Sequence, residues 1–371
     1  TKFHLSNSNS LVLSYDINNE EYRIELLGKY IDEFSNYNII IFPRKVSKEM
    51  EHILNKRLVP IVYIKGQEKG LLTSSSTKRE GFIAIEDIFF ELLSVNGEKS
   101  PLSVGAKIKI IESQNSIVKS QNLFKKTINL LWAAYIFHGI VYFIQCYSAY
   151  YIQKKRKDKI ETINLFNKFA IVNLAISLLM GASSLHINIV LYMFINILAT
   201  YIITLFMSEK EVNTIGLFST LTYGLIIFGI IFFPEILYNS YIGFNNLFYG
   251  ARFYGFNNGI MGVLLATSVI SYYFIEDLMP NKSIKNIVCI LYFAMNMMVL
   301  SVNYGANTGG FLTSLALFIV MMYVNFLNKK LNIKNIILLL FIGIFIFTIN
   351  MYFDNLSDEK SHAINFLIRI K

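Results

Sequence analysis

The chain has 371 residues, of which 54% are hydrophobic and only 16% are charged, and its formal net charge is +9. About a quarter of the residues in an average soluble domain are charged, so this composition excludes a wholly soluble protein. The excess positive charge lies largely beside the apolar segments. This favours a membrane topology signal over nucleic-acid binding, and we expect no nucleic-acid partner.

The first 118 residues have a mixed composition and predict an extracytoplasmic α/β domain. Strand patterns occur at 11–15, 38–42, 60–65 and 81–85, and helical patterns lie between the first two strands, at 47–57 and directly after 85. Alternating strands and helices are typical of a mainly parallel sheet with helices outside it. We therefore expect an α/β partial domain over 1–118.

The segment Val59–Gly97, "VPIVYIKGQEKGLLTSSSTKREGFIAIEDIFFELLSVNG", resembles the C-terminal part of an alkaline-phosphatase-superfamily domain. In that superfamily a strand is followed by a turn, a Ser/Thr-rich stretch, a glycine, an Ile/Asp pair and the helix that closes the sheet. Ser74–Thr77, Gly81 and the Asp87-Ile88 pair are the corresponding elements here. The resemblance implies an alkaline-phosphatase-like fold, with this chain carrying its C-terminal part.

The resemblance would bring a hydroxyl nucleophile and two metal ions held by Asp and His. The strand at 38–42 is followed by Pro43-Arg44-Lys45 instead of an Asp-His pair, and His4 and His52 are the only histidines before residue 119. The hydroxyls of Ser74–Thr77 have no nearby base in the sequence and are interpreted as a loop. We predict no metal site, no cofactor and no assignable catalytic residue in this chain.

The chain begins at Thr1, without a methionine or a signal peptide. An extracytoplasmic domain needs an export signal. We therefore expect further residues to precede Thr1, and a catalytic nucleophile could lie among them.

Residues 119–353 predict an all-α polytopic membrane domain of about eight helices, because a spanning helix needs about 20 apolar residues. The segment Phe169–Met207 has no Lys, Arg, Asp or Glu and is too long for one helix, so two spans should turn near 181–184. Residues 354–371 would form an extracytoplasmic tail. The remaining predicted spans are Ile128–Ile152, Ile215–Phe233, Gly259–Ile275, Asn286–Val302, Phe311–Leu327 and Ile336–Phe353.

The positions of Lys and Arg orient these spans in the cytoplasmic (inner) membrane. With the N-terminal domain outside, cytoplasmic loops at 153–168, 208–214, 276–285 and 328–335 carry 12 Lys and Arg residues, against one in the outer loops. This asymmetry follows the positive-inside rule. The run Lys154–Lys157 is interpreted as the cytoplasmic anchor of the first span, and a lipid-binding basic patch is the alternative.

Two outer segments, "GARFYGFNNGIMG" (250–262) and "GANTGG" (305–310), resemble loops of uncharacterised bacterial polytopic membrane proteins. Those proteins carry an extracytoplasmic alkaline-phosphatase-superfamily-like domain before their spans. Their first loop is closer to Gly-Ala-Arg-Phe-Tyr-Gly-Ile-Gly-Asn-Glu, whereas this chain has Asn257-Asn258-Gly259 and lacks the acidic residue. The resemblance covers most of the chain and implies no defined activity.

Arg252 is the leading candidate for ligand binding because it is the only Lys or Arg in the three outer loops. A guanidinium offers a rigid fork for phosphate or carboxylate, and nearby glycines such as Gly255 let backbone approach a ligand. An interfacial arginine that contacts lipid headgroups is the alternative. The other candidate ligand-binding residues are Asn257 and Asn258, which could cap the next helix, and Asn303, Asn307 and Thr308, for which a simple tight turn is the alternative.

Polar residues within or at the ends of the spans are expected to make interhelical hydrogen bonds. They are Asn173, Asn196, Asn296, Asn350, His138 and His186. The spans carry no Asp, Glu, Lys or Arg at mid-depth, which argues against an ion-coupled transporter.

The sequence thus predicts a cell-envelope integral membrane protein with a degenerate phosphatase-like outer domain. Its partners would be membrane lipids, in particular an anionic lipid or glycan precursor bearing phosphate. Two alternatives remain open: a metal-dependent phosphatase or phosphotransferase whose catalytic half is missing, and a transporter or lipid flippase. The sequence predicts no particular oligomeric state.

Overall fold

A computed structural model describes residues 10–15, 20–44, 58–98, 105–183, 188–210, 212–243, 255–301, 303–327 and 332–356. The described residues are mostly helical. They fall into two compact units, an N-terminal unit that ends at Thr127 and a membrane unit that begins at Ile128.

The described residues of the N-terminal unit up to 112 form two helices and two small sheets. Strands β1 and β2 pair antiparallel, and so do β3 and β4. In chain order its elements are α1 (Glu21–Glu33), β1 (Ile39–Ile41), β2 (Val62–Ile64), β3 (Gly70–Thr73), α2 (Ile85–Val95) and β4 (Lys109–Glu112).

These elements confirm part of the predicted pattern and correct the rest. Helices α1 and α2 and strands β1 and β2 form where predicted, but residues 11–15 and 81–85 are not strands, and the described strands pair antiparallel. Residues 81–85 alternate in burial like a strand. However, the carbonyl of Phe82 accepts from the Thr77 hydroxyl at 2.7 Å, so this segment is bonded locally and joins no sheet. The helix predicted at 47–57 lies outside the described residues.

A buried carboxylate, Asp87, holds the N-terminal unit together. Its side chain is 0% exposed and accepts four hydrogen bonds, two of them from the hydroxyls of Ser74 and Ser76 at 2.6 Å each. The other two donors are the backbone N–H groups of Ala84 at 2.8 Å and Ala106 at 2.9 Å. A buried charge is tolerated only when it is paired or well hydrogen-bonded, so Asp87 ties the Ser/Thr loop to the start of α2.

The membrane unit is formed by long helices. Eight helices in the described part of the chain are long and apolar enough to cross a membrane, which confirms the predicted number. They are α3 (Ser116–Gln153), which begins in the N-terminal unit, α4 (Ile160–Ala182), α5 (Ile189–Glu209), α6 (Thr214–Phe232), α8 (Asn258–Glu276), α9 (Lys282–Leu300), α10 (Thr308–Asn325) and α11 (Ile333–Leu356); a short helix, α7 (Glu235–Tyr238), follows α6.

Each predicted span corresponds to one of these helices, with the ends shifted by a few residues. The apolar segment 169–207 does contain two spans, because α4 ends at Ala182 and α5 begins at Ile189. The last helix continues to Leu356 and so includes Asp354, which the sequence assigns to the tail. The protein is therefore an integral, multi-pass membrane protein.

Side chains from most of these helices share one apolar core. Helix α6 packs between α4 and α8, α4 also packs against α5, and α9 packs against α8 and α10. The large core side chains include Phe137 on α3, Tyr223 and Ile226 on α6, Leu264 on α8 and Phe311 on α10. Because consecutive spans run antiparallel, every second loop lies at the same end of the unit.

Three of the asparagines that the sequence predicts to bridge helices do so in the structure: Asn173, Asn196 and Asn296. The Asn173 side chain on α4 donates to Asn196 and, at 2.9 Å, to Thr200 on α5. Asn296 on α9 donates to the Ser268 hydroxyl on α8 at 2.9 Å. Such bonds satisfy side chains that hydrocarbon cannot solvate. His186 lies outside the described residues.

Candidate functional site

The two glycine-rich segments singled out by the sequence meet at one end of the membrane unit. The N–H of Phe256 donates to the Gly305 carbonyl at 2.7 Å, and Nδ2 of Asn307 donates to the Phe256 carbonyl at 2.9 Å. We call the described residues 255–258 and 303–308 the loop junction. It brings together the beginnings of α8 and α10, which are 50 positions apart in the chain.

Glycine is required at the junction because backbone packs directly on backbone. Gly255 has a φ of +76°, and a Cβ placed on it would lie 2.2 Å from the Gly305 carbonyl oxygen. A Cβ on Gly305 would lie 2.4 Å from the Val299 carbonyl oxygen. The sequence suggests that Gly255 lets backbone approach a ligand, but the structure shows that it lets one loop of the protein approach the other.

The two helices that start at the junction are both capped by asparagine. Oδ1 of Asn257 accepts from the N–H of Ile260 at 2.8 Å, and Oδ1 of Asn307 accepts from the N–H of Gly310 at 2.8 Å. This confirms the predicted cap by Asn257, whereas Asn258 is the first residue of α8. The positive ends of α8 and α10 therefore lie side by side.

The candidate residues at the junction differ in how accessible they are. Asn307 is 3% exposed, and both ends of its amide are bonded to the protein backbone, so it positions the loops. Asn258 and Asn303 are exposed, while Asn257 and Thr308 are half-buried. These four side chains are the described candidates that a ligand could reach.

Arg252, the remaining candidate, lies outside the described residues. The described chain stops at Gly243 before it and resumes at Gly255, three positions after it. Both flanking segments are packed into the membrane unit: a Cβ on Gly243 would lie 2.4 Å from the Leu237 carbonyl oxygen.

The segment that precedes Arg252 is buried, which the sequence does not reveal. Residues 236–243 lie in the outer loop between the predicted spans Ile215–Phe233 and Gly259–Ile275, and every one of them is buried. The Tyr241 hydroxyl donates to Oδ1 of Asn173 at 2.6 Å, and its ring lies 4.3 Å from that of Phe137. Asn173 is nine residues before the end of α4, about 14 Å along the axis, so the Tyr241 side chain reaches well into the helix bundle. Tyr, Asn and Ser in "LYNSYIG" look like ordinary loop residues, so only the apolar residues between them hint at burial.

A second missed feature is a buried carboxylate near the junction. Asp354, in the last turn of α11, is 1% exposed. A Cβ on Gly343 of α11 would lie 3.0 Å from the Ile319 side chain of α10. These helices are antiparallel, so eleven residues further along α11, Asp354 is level with Thr308 at the start of α10. This end of the membrane unit therefore carries both helix N-termini and a carboxylate.

The described residues hold no arrangement that points to metal-dependent hydrolysis. No group of three or more His, Cys, Asp or Glu side chains in the described part of the chain is placed to hold a metal ion. The hydroxyls of Ser74 and Ser76 donate to Asp87, and Asp87 has structural donors on both of its oxygens. Their arrangement is that of a folded loop.

Comparisons with known proteins add no evidence on function. No protein-family model, curated protein or solved structure matches this chain.

Proposed function

We propose that this protein binds a phosphate-bearing lipid or glycan precursor at the outer face of the cytoplasmic membrane. The observation that carries the proposal is the loop junction, where the N-termini of α8 and α10 lie together. In the sequence, Arg252 precedes the first residue of α8 by six positions. In this proposal the N-terminal unit lies on the same, extracytoplasmic side and is a degenerate relative of the alkaline phosphatases.

Electrostatics favour an anionic ligand at this place. Each helix N-terminus carries the equivalent of about half a positive elementary charge and presents N–H groups that can donate to an anion. Arg252 would add a full charge in a geometry that matches two phosphate oxygens. The accessible amides of Asn258 and Asn303 would donate to the same group.

The position of the loop junction at the ends of membrane helices suits a lipid-linked ligand. The junction is continuous with membrane helices, so a ligand held there can keep its hydrocarbon chains in the bilayer. A phosphate carried on a lipid or lipid-linked sugar therefore fits this position better than a soluble polyphosphate.

The test is binding of a polyprenyl phosphate to the full-length purified chain, measured by native mass spectrometry in excess phosphatidylglycerol. The phosphodiester lipid occupies general anion sites, so the monoester reports on the specific one. We expect Arg252→Ala to lower the bound fraction about tenfold, the value of one lost charge-assisted contact of about 1.4 kcal/mol. Arg252→Lys should retain part of the binding, because lysine keeps the positive charge but lacks the two-pronged geometry of the guanidinium group.

Arg23→Ala is the matched control, since Arg23 is a partly exposed arginine of the N-terminal unit that pairs with Glu20. Equal binding by the Arg252→Ala and Arg23→Ala variants would contradict the proposal. Metal-dependent phosphate release from the ligand would identify a phosphatase instead, and movement of the ligand between leaflets of proteoliposomes would identify a flippase.

A further inference from the structure

The turn between α3 and α4 concentrates positive charge at the edge of the membrane unit. Five of its residues are cationic: Lys154, Lys155, Arg156 and Lys157 are exposed, and Lys159 is half-buried. With the carboxylates of Asp158 and Glu161, residues 154–161 carry a net charge of five minus two, or +3. We call residues 154–161 the basic turn.

The backbone holds these cations in a tight, defined turn. Lys155 has a φ of +52°, and the N–H of Arg156 donates to the Tyr151 carbonyl at 3.1 Å. This is the left-handed helix end that glycine usually forms, and a side chain there costs about 1 kcal/mol or more. A lysine in this position keeps a charge where glycine would relieve the strain.

The ion pairing in the turn leaves most of its charge uncompensated. Arg156 binds Asp158 through two nitrogens, at 2.8 and 2.9 Å, and this bond lowers the pKa of the Asp158 carboxyl to about 2. Among the described residues, Arg156 is the only cation of the turn that forms an ion pair. Lys154, Lys155 and Lys157 are exposed, and none of the four lysines forms an ion pair with a described residue.

Aromatic side chains place the turn at the membrane–water boundary. The rings of Tyr147 and Tyr151 lie 4.6 Å apart, and Tyr147 also packs edge-on against Phe166 of α4 at 5.3 Å. Tyr150, in the last turn of α3, is exposed. Tyrosines at the ends of spans are typical of the interfacial belt, where headgroups begin.

The turn lies at the opposite end of α4 from the loop junction. Helix α4 has 23 residues and is therefore about 33 Å long, close to the thickness of a hydrocarbon core. Its far end contacts the buried segment before Arg252: a Cβ on Gly181 would lie 2.3 Å from the Ile236 carbonyl oxygen. A ligand site at the basic turn is consequently separate from the one at the junction.

We infer that the basic turn is a binding site for the headgroups of anionic phospholipids in the leaflet at that end of the protein. The four unpaired lysines supply the charge, the N-terminus of α4 adds donors, and the tyrosine–phenylalanine cluster contacts the glycerol and upper acyl region. This inference does not rest on the proposed function, since it concerns the other end of the bundle and a phosphodiester lipid.

The experiment compares phosphatidylglycerol with phosphatidylcholine as lipids retained by the full-length chain in mixed nanodiscs. We expect the wild type to enrich phosphatidylglycerol, and Lys→Gln changes at all four lysines to reduce this enrichment about tenfold or more, since each basic residue near an anionic surface contributes to binding. Lys→Arg changes at the same positions should preserve it. Raised salt should weaken it in the wild type.

The matched control removes the same amount of charge from the N-terminal unit, where exposed lysines are available. The control variant replaces Lys29, Lys69, Lys107 and Lys109 by Gln. Equal enrichment in the wild type and the basic-turn variant, or an equal loss in both Gln variants, would overturn the inference. Thiol labelling of each variant in intact cells, before purification, verifies that neutralising the lysines has not changed its topology.

The two proposals fail independently. Arg252→Ala should leave the phosphatidylglycerol enrichment intact, and the basic-turn Gln variant should leave binding of polyprenyl phosphate intact. If both variants lose both activities, the chain has a single anion site and the separate site at the basic turn is wrong.

Discussion

Single polar side chains in both units hold together segments that are distant in sequence. Asp87 collects donors from the Ser/Thr loop and from Ala106, and Asn307 bonds to the backbone of Phe256. In both cases a buried side chain has all its bonds directed at the protein itself. Such residues are poor candidates for ligand contact and good candidates for loss of stability when replaced.

We predict that Asp87→Ala destabilises the N-terminal unit strongly. The change leaves two hydroxyls and two backbone N–H groups without an acceptor, and each buried unsatisfied group costs about 1–3 kcal/mol. We therefore expect a loss of about 3 kcal/mol or more. Hydrogen exchange of the amides in α2, followed by mass spectrometry on the full-length chain, measures it.

Asp32→Ala is the control, because Asp32 is an exposed aspartate on α1. Its exchange in α2 should match the wild type. Protection of α2 that is equally high in the Asp87→Ala variant would show that the four bonds are dispensable.

At the scale of elements, the loop junction depends on the absence of side chains. We predict that Gly255→Ala lowers the stability of the membrane unit by about 1–3 kcal/mol. An added Cβ would collide with the Gly305 carbonyl, and the φ of +76° is strained for alanine. Thermal unfolding of the full-length chain in detergent measures the change.

Gly262→Ala provides the comparison within α8. A Cβ on Gly262 meets no atom within 4 Å, so alanine there should be neutral or slightly stabilising because it favours the helix. If both alanine variants unfold at the same temperature, the close approach of the two loops does not support the fold.

The helices of the membrane unit could be predicted from the sequence, because a run of apolar residues long enough to span a bilayer has few other stable conformations. The break near Gly181 and the cap by Asn257 could also be predicted, because each depends on residues that are close together in the sequence. The bond from Asn307 to Phe256 was not, since it joins residues that only the packing of α8 against α10 brings together. The burial of residues 236–243 could not be predicted either, because it too depends on contacts with residues that are distant in the sequence.

The N-terminal unit was harder to predict. Its strands have only three or four residues, and β4, the partner of β3, was not recognised in the sequence at all. Short strands carry too few alternating positions to show whether their partner runs parallel or antiparallel. The resemblance to alkaline phosphatases therefore stays a prediction, and an assay of metal-dependent phosphate release by the full-length protein would test it.

For the whole molecule, the orientation in the membrane is the prediction on which the proposed outer site depends. We expect a cysteine at Asn303, which is exposed, to react with an impermeant thiol reagent from outside intact cells. A cysteine at Asp158 should react only after the membrane is permeabilised. A cysteine at Asn307 is a poor probe in either orientation, because that position is buried.

The labelling requires a background in which Cys146 and Cys289 are replaced, since Cys146 is exposed on α3. Reversed labelling of Asn303 and Asp158 would invert the topology. The loop junction would then face the cytoplasm, and the proposed ligand would have to be sought there.

The buried segment 236–243 also constrains the order in which the protein is assembled. Tyr241 bonds to Asn173, 68 positions earlier, and its neighbours pack in the same core as Ile260 and Leu264 of the helix that is synthesised next. The segment cannot reach its final place until α4, α6 and α8 have all entered the bilayer. Closure of this end of the bundle is thus a late event in biogenesis.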